Sequence, residues 1–292
     1  MGYLEVSQID NGVCLEGVTN FNLKDTFECG QCFRWYPKGG GYISVLNDKV
    51  VEIYYENSNL IIKGITVDDY IDYFENYFDF DTDYDDILKI LSKEPVFNSI
   101  VGNNSGIRIL KQDLFEVIIS FIISANNNIP RIKTCISNLS SLYGSQFVDE
   151  GVEYYAFPTL EQLSKATELE LKSCGLGYRV PYIMQTIKMI YAIDKKYGAW
   201  EEYFREMDYK KAHYELMNFA GVGDKVSECI CLFGLSLTEA FPIDTWIKKI
   251  LFRYYGVQTQ SVERTADFIE SRFGKLAGYA QQYLFYYKKG KV

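Results

Sequence analysis

The hydrophobic pattern of this 292-residue chain changes period about a third of the way along. Before that point the apolar residues form short β-prone runs: Tyr42-Ile43-Ser44-Val45-Leu46, Val50 to Tyr55 and Leu60-Ile61-Ile62. Branched and aromatic side chains suit a pleated, half-buried surface. Turn-forming residues part these runs at Lys38-Gly39-Gly40-Gly41, Asn47-Asp48 and Glu56-Asn57-Ser58-Asn59. From Asp85 the spacing turns helical. Asp113 to Ser124 reads as a nearly all-apolar helix stopped by Asn126-Asn127-Asn128. Tyr182 to Tyr197 is a second helix with Pro181 in its first turn, and Asp244 to Tyr255 a further one after Pro242. The expected fold class is α+β. Residues 1–105 would form an antiparallel sheet domain with flanking helices. Residues 106–292 would be all-helical, with a helix–hairpin–helix motif at about 212–235.

Composition narrows the chemistry. With 48% hydrophobic and 24% charged residues the chain can bury a substantial core. No apolar stretch reaches the ~18 residues that span a bilayer. The longest, Val117 to Ala125, is short and broken by Ser120 and Ser124. Met1 to Glu5 lacks the basic and apolar regions of a signal peptide, and Val6 replaces the Ser or Thr of a myristoylation signal. A cytosolic protein, nuclear in a eukaryote, is therefore expected, as a monomer. Seven cysteines without a secretory signal read as reduced thiols. Cys29 and Cys32 form a CxxC, but no βαβ pattern surrounds them to make a redox site. The single histidine, His213, speaks against a His-rich zinc site and a Ser-His mechanism. Asp79 to Asp85 mimics a calcium loop, yet Tyr84 and Ile90 stand where Gly and Glu are required. A solvated acidic connection is expected there. Neither cofactor nor metal is expected.

A net charge of −9 has the wrong sign for binding nucleic acid. The distribution removes the objection. Residues 1–105 hold 18 acidic against 7 basic side chains, and the other 187 residues hold 21 against 23. Arg131, Lys133, Arg179, Lys225, Lys248, Lys249 and Arg253 lie near the segments that carry chemistry.

The most informative of those segments is Phe219-Ala220-Gly221-Val222-Gly223-Asp224-Lys225. Gly221 and Gly223 between two helices make a tight hairpin open to close approach by another backbone. The helix that follows presents unpaired N–H groups suited to phosphate, without reading sequence. A plain helix cap and turn is the alternative. At the helix start the dipole disfavours an ammonium on Lys225, and a free amine can form a Schiff base. A solvated lysine is the bland reading. Cys229 is one turn further on the same face, as a pocket wall or a buried structural thiol. Asp244, in Phe241-Pro242-Ile243-Asp244-Thr245-Trp246, is either a helix cap or a carboxylate that steadies positive charge on a sugar.

Together these pieces resemble the helix–hairpin–helix DNA glycosylase superfamily, and within it the 8-oxoguanine DNA glycosylases of the eukaryotic type. Gly30-Gln31-Cys32-Phe33-Arg34-Trp35 is similar to that branch's GQxFRW motif, and Ser120 to Arg131 to its SFIxSxNNNIxR motif. Gly175-Leu176-Gly177-Tyr178-Arg179 is similar to GLGYR, and Gly278 to Phe285 to GWAQxxLF. The motifs stand in family order from about residue 20 to 285. Ala220 departs from the Pro common there, and Trp246 from a frequent His.

The resemblance implies a bifunctional DNA glycosylase/AP lyase whose partner is double-stranded DNA containing 8-oxoguanine. It implies Lys225 as the nucleophile at the sugar C1′ and Asp244 as its electrostatic partner. Phe285 and Cys229 would sandwich a flipped base, and Gln281 would bind its Watson–Crick edge. The Gly30 carbonyl would accept a hydrogen bond from N7–H, which guanine lacks. Asn126 would fill the vacated gap, Arg131 and Arg179 would read the widowed cytosine, and Tyr178 would wedge beside it. Two other functions remain: a monofunctional alkylpurine glycosylase, against which Lys225 speaks, and a non-catalytic DNA-binding module. An endonuclease III-like activity is disfavoured because no Cys follows Cys231 to complete an iron–sulfur site.

Overall fold

The turns set the sheet. The computed structural model describes residues 2–97, 106–259 and 262–290, so the boundary expected at residue 105 lies outside the described residues. Asn47 and Asp48 hold φ of 47° and 55°, and Asn57 and Ser58 hold 50° and 70°. Such left-handed pairs match the twist of two-residue hairpins. They join β4 (Gly41–Leu46), β5 (Lys49–Glu56) and β6 (Asn59–Lys63). β1 (Glu5–Ile9), β2 (Gly12–Glu16) and β3 (Tyr36–Lys38) complete a six-stranded antiparallel sheet of order β1-β2-β6-β5-β4-β3. The largely polar β1 carries only two apolar residues, Val6 and Ile9, which is why the sequence pattern did not mark it.

One face of the sheet, through Val13, Leu15, Val51, Ile53 and Ile62, packs against Phe27, Trp35, Phe74, Phe78 and Phe80. Phe27 stacks on Trp35 at 4.3 Å. Phe27 belongs to α1 (Leu23–Glu28), which ends at the turn carrying Gly30.

A second core surrounds α3 (Leu114–Ser124), with nine of its eleven residues buried. A helix apolar on all sides must be central. Around it lie α2 (Tyr84–Leu91), α4 (Ile129–Tyr143), α5 (Val180–Tyr197), α6 (Tyr209–Leu216), α7 (Asp224–Gly234), α8 (Thr245–Tyr255), α9 (Val262–Phe273) and α10 (Ala277–Gly290), with shorter helices between. α7 lies hard against α3: a Cβ on Gly234 would stand 2.9 Å from Leu114, and Phe233 stacks on Phe121 at 5.5 Å. The region is helical as expected apart from one hairpin, β7 (Gln146–Asp149) with β8 (Val152–Tyr155). Its turn rests on Glu150 and Gly151, both at positive φ.

The two cores interlock. Leu110 packs into the sheet core, while Phe33 and α2 pack into the helical one. Arg34 bridges them by bidentate bonds of 2.8 and 2.7 Å to Glu116 on α3. One expectation needs correction. Asp79 is not part of a solvated acidic connection: it is 1% exposed, and its carboxylate takes Lys111, Thr82 and Tyr84 at 2.7 to 2.9 Å. Burial of a charge requires such partners. Among the described residues no helix is long and apolar enough to cross a membrane.

Candidate active site

The hairpin between α6 and α7 is built on one obligatory glycine. Gly221 holds φ of 82°, and a Cβ there would lie 2.6 Å from the Tyr182 ring. Gly223 differs from expectation: its backbone is extended (φ −101°, ψ −176°), which any residue adopts. A Cβ there would meet nothing within 4 Å, so the position faces open space. Gly223 also caps α7 without a side chain, leaving the first helical N–H groups free of an intrahelical partner.

Lys225 follows in the first turn, half-buried, its Nζ 5.5 Å above the centre of the Phe121 ring. Cys229 stands one turn on, 3% exposed; burial pushes its thiol up, and contact with the Lys225 amine opposes that shift. Asp244 is the N-cap of α8, and its Oδ1 accepts from the amides of Trp246 (3.0 Å) and Ile247 (2.7 Å). The cap fixes the carboxylate, so the capping and functional readings of Asp244 are compatible.

These side chains share one cavity of about 210 Å³ between the two cores. Lys225, Asp244 and Cys229 line it together with Gly30, Gln281 and Phe285, as the motifs imply. Gly30 holds φ of 95° and turns the chain after α1 into the cavity wall. Gln281 is buried, with its amide oriented by two bonds. Its Nε2 donates to the Pro242 carbonyl (3.0 Å), and its Oε1 accepts from Gln282 (2.6 Å). Gln282 in turn accepts from the Cys29 thiol at 3.6 Å. Phe33, Gln282 and Cys29 also line the cavity; from sequence Cys29 reads only as half of a CxxC, and neither Phe33 nor Gln282 is given a role. Phe33 lay within a motif, whereas nothing local marks Gln282 as different from its neighbours.

Of the other residues given roles, Asn126, Arg131, Tyr178 and Arg179 are not part of the cavity lining, although their motif neighbours Asn127 and Asn128 are. Asn126 is exposed at φ 51°, on the loop that ends α3. Arg131 is exposed on the first turn of α4, after Asn128 caps that helix. Pro130 occupies the first turn without displacing it. Tyr178 is 54% exposed, and its hydroxyl donates to the Ala125 carbonyl at 3.1 Å.

Arg179 departs from expectation. It is 3% exposed, and its guanidinium donates to the carbonyls of Ala125 and Asn126 with its face against the Tyr178 ring. It is committed to the loop and does not stand free for a base. All seven cysteines are buried and unbridged, and burial drives the Cys32 thiol well up, which suits core thiols and not a redox pair. Among the described residues no three His, Cys, Asp or Glu side chains could hold a metal ion.

Comparison with known proteins agrees with this geometry. Residues 14–118 match the N-terminal domain of 8-oxoguanine DNA glycosylase, and residues 119–275 match the HhH-GPD superfamily of base excision DNA repair proteins. The chain is 32% identical to a probable N-glycosylase/DNA lyase of Methanothermobacter thermautotrophicus, over 72% of either chain. It is 35% identical to the N-glycosylase/DNA lyase of Arabidopsis thaliana, over 66% of this chain but only 55% of that protein. The Clostridium acetobutylicum 8-oxoguanine glycosylase/lyase has been crystallised with double-stranded DNA containing cytosine opposite 8-oxoguanine. It superposes with a TM-score of 0.93 at 40% identity, covering 99% of each chain. Matched in both halves, this chain belongs to the 8-oxoguanine DNA glycosylases of the HhH-GPD superfamily of base excision repair proteins.

Proposed function

We propose that the chain excises 8-oxoguanine from duplex DNA and then cleaves the strand at the resulting site, acting as a monomer in the cytosol. The observation that carries this reading is the meeting of Lys225, Asp244 and the Gly30 turn in one cavity, although 195 residues separate Gly30 from Lys225. A binding module would need neither amine nor carboxylate at that point, and a water-dependent glycosylase would not need the amine.

In this mechanism the target nucleotide leaves the stack and enters between Phe285 and Cys229. The hairpin amides hold backbone phosphate. The Gly30 carbonyl accepts the N7–H of 8-oxoguanine, while the N7 lone pair of guanine would repel it. Gln281 meets the Watson–Crick edge. Asn126 takes the vacated gap, Tyr178 wedges beside it, and Arg131 faces the widowed base, with Arg179 joining it once the loop rearranges. The Lys225 amine attacks C1′, and the bond from C1′ to the base breaks with its electron pair leaving on the base, which takes a proton. The Asp244 carboxylate stabilises positive charge on the sugar as that bond breaks. Opening of the C1′–O4′ bond gives the Schiff base. Loss of a C2′ proton then expels the 3′ phosphate.

Borohydride reduction in the presence of an 8-oxoguanine duplex tests the reading. A covalent protein–DNA adduct is expected from the wild type and none from Lys225→Gln. An adduct that survives Lys225→Gln removes the assigned nucleophile, and a wild type that binds without trapping favours the binding module. Gly30→Ala should lower the ratio of 8-oxoguanine to guanine excision. An equal loss on both would make that glycine structural only.

A further inference from the structure

Asp244 reaches the cavity on a stretch of chain without regular structure. Phe241, Pro242 and Ile243 run between α7 and α8, and among the described residues no backbone–backbone hydrogen bond holds any of the three. Two side chains hold them instead. The Phe241 N–H donates to Glu228 Oε2 at 2.6 Å, and the Pro242 carbonyl accepts from Gln281 Nε2 at 3.0 Å. Pro242 brings no N–H of its own. The bonds that Asp244 accepts from the Trp246 and Ile247 amides fix its carboxylate relative to α8, not relative to α7.

Glu228 makes that second connection. It stands one turn after Lys225 on α7, so a single side chain ties the helix that carries the amine to the segment that carries the carboxylate. It is 8% exposed, and a carboxyl group is costly to bury unless its oxygens are paired. Here the two oxygens have separate tasks. Oε1 accepts from the Tyr209 hydroxyl at 2.5 Å, with His213 Nδ1 at 3.4 Å, and so joins α7 to α6. Oε2 reaches ahead to the Phe241 amide. Glu228 is not among the residues that line the cavity, so it acts on the reaction only through what it holds.

We propose that Glu228 is a positioning residue for base excision: through the Phe241 amide it sets where the Asp244 carboxylate stands relative to the Lys225 amine. The proposal rests on the roles given above to those two residues. The pull of a carboxylate on positive charge developing at the sugar falls with distance. A displacement of about 1 Å can cost about a hundredfold in rate. Gln281 holds the same segment but also meets the base, so Glu228 is the cleaner handle.

Single-turnover excision of 8-oxoguanine from duplex DNA, with the full chain in saturating excess, tests this. Glu228→Met keeps the volume and removes the acceptor. It should lower the rate constant about tenfold or more. Its affinity for a duplex holding a tetrahydrofuran abasic analogue should stay within about twofold of wild type. Glu228→Gln should recover most of the rate, because its amide oxygen can still accept from Phe241. Tyr209→Phe removes the bond to α6 and leaves the bond to Phe241, so it should lower the melting temperature and keep the wild-type rate. In an Asp244→Asn background, Glu228→Met should change the residual rate by less than about twofold, since the group it positions is gone. If Glu228→Met does not fold, Glu228→Asp, one methylene shorter, takes its place with the same expected loss. The proposal is overturned by a wild-type rate in Glu228→Met, by a Glu228→Gln as slow as Glu228→Met, by an equal slowing in Tyr209→Phe, or by a Glu228→Met defect that multiplies with that of Asp244→Asn. A wild-type rate in Asp244→Asn alone would instead remove the role given to Asp244 itself.

Discussion

The two walls of the Lys225 cavity are held by different physics. The α7 wall, which carries Lys225 and Cys229, rests on apolar packing: Val226 to Gly234 are all buried, and Phe233 stacks on Phe121. The facing loop from Ala125 to Asn128 leaves helical geometry at Ala125 (ψ 122°) and is tied down by the Arg179 guanidinium and the Tyr178 hydroxyl. Packing spreads its stabilisation over many small contacts. A buried polar clamp concentrates it, and its loss leaves carbonyls without donors. Lys225 should therefore keep its place under substitutions that disorganise the loop 125–128.

The sharpest break in that comparison is Arg179→Ala. It should cost roughly 2–3 kcal/mol in urea unfolding, because a buried charged donor to two carbonyls disappears. Hydrogen exchange should quicken at residues 125–128 and stay unchanged along α7. Borohydride trapping on a preformed abasic site should persist, since the amine is held elsewhere. Arg179→Lys should recover only part of the loss, for lack of the planar fork. Faster exchange in α7 to the same extent would show the two walls to be one unit.

The hairpin glycines sharpen the comparison within the α7 wall. Gly221→Ala should destabilise by about 1–3 kcal/mol, since it combines positive φ with a clash against Tyr182. Gly223→Ala should leave stability within about 0.5 kcal/mol. It should nevertheless weaken DNA binding, by placing a methyl where a phosphate would approach. Thermal melts and binding titrations on the same two proteins check both halves. Equal melting temperatures for the two variants would mean that the strain at Gly221 is absorbed elsewhere.

What was legible in the sequence was what is local. The Asn-Asp and Asn-Ser turns, the all-apolar α3 and the Gly221 hairpin declare themselves within a few residues. Lys225, Asp244 and Gly30 were legible because their motifs are short and distinctive, and packing then brought those motifs to one cavity. The surroundings of single polar groups were not. Arg179 reads like any surface arginine until the loop from α3 folds over it, and Asp79 reads as solvated until Lys111 arrives from a distant segment and Tyr84 folds back onto it. The orientation of Gln281 depends on distant segments: the Pro242 carbonyl accepts from it, and Gln282, which donates to it, is itself met by Cys29. The β7–β8 hairpin is too short for its alternation to stand out from its surroundings.

The smallest expected effect concerns charge on the apolar wall. His213 on α6 places Nε2 3.3 Å from Asp224 and Nδ1 3.4 Å from Glu228, both on α7, while Tyr209 also bonds Glu228 and Lys248 acts on Asp224. Burial pulls the imidazole down, but the Asp224 hydrogen bond and the two carboxylate charges outweigh it and raise it above its ordinary value. A histidine raised on folding stabilises fully below its unfolded pKa, and that stabilisation is lost as pH rises through the folded value. The urea midpoint of wild type should thus exceed that of His213→Gln most at about pH 6, with the gap narrowing toward about pH 8. Solvent around Asp224 limits the gain to a few tenths of a kcal/mol up to about 1. Glu228 opposes it in part, because burial pushes that carboxyl up. A gap that stays constant with pH would mean His213 acts through packing alone, leaving the α7 wall as apolar as the comparison makes it.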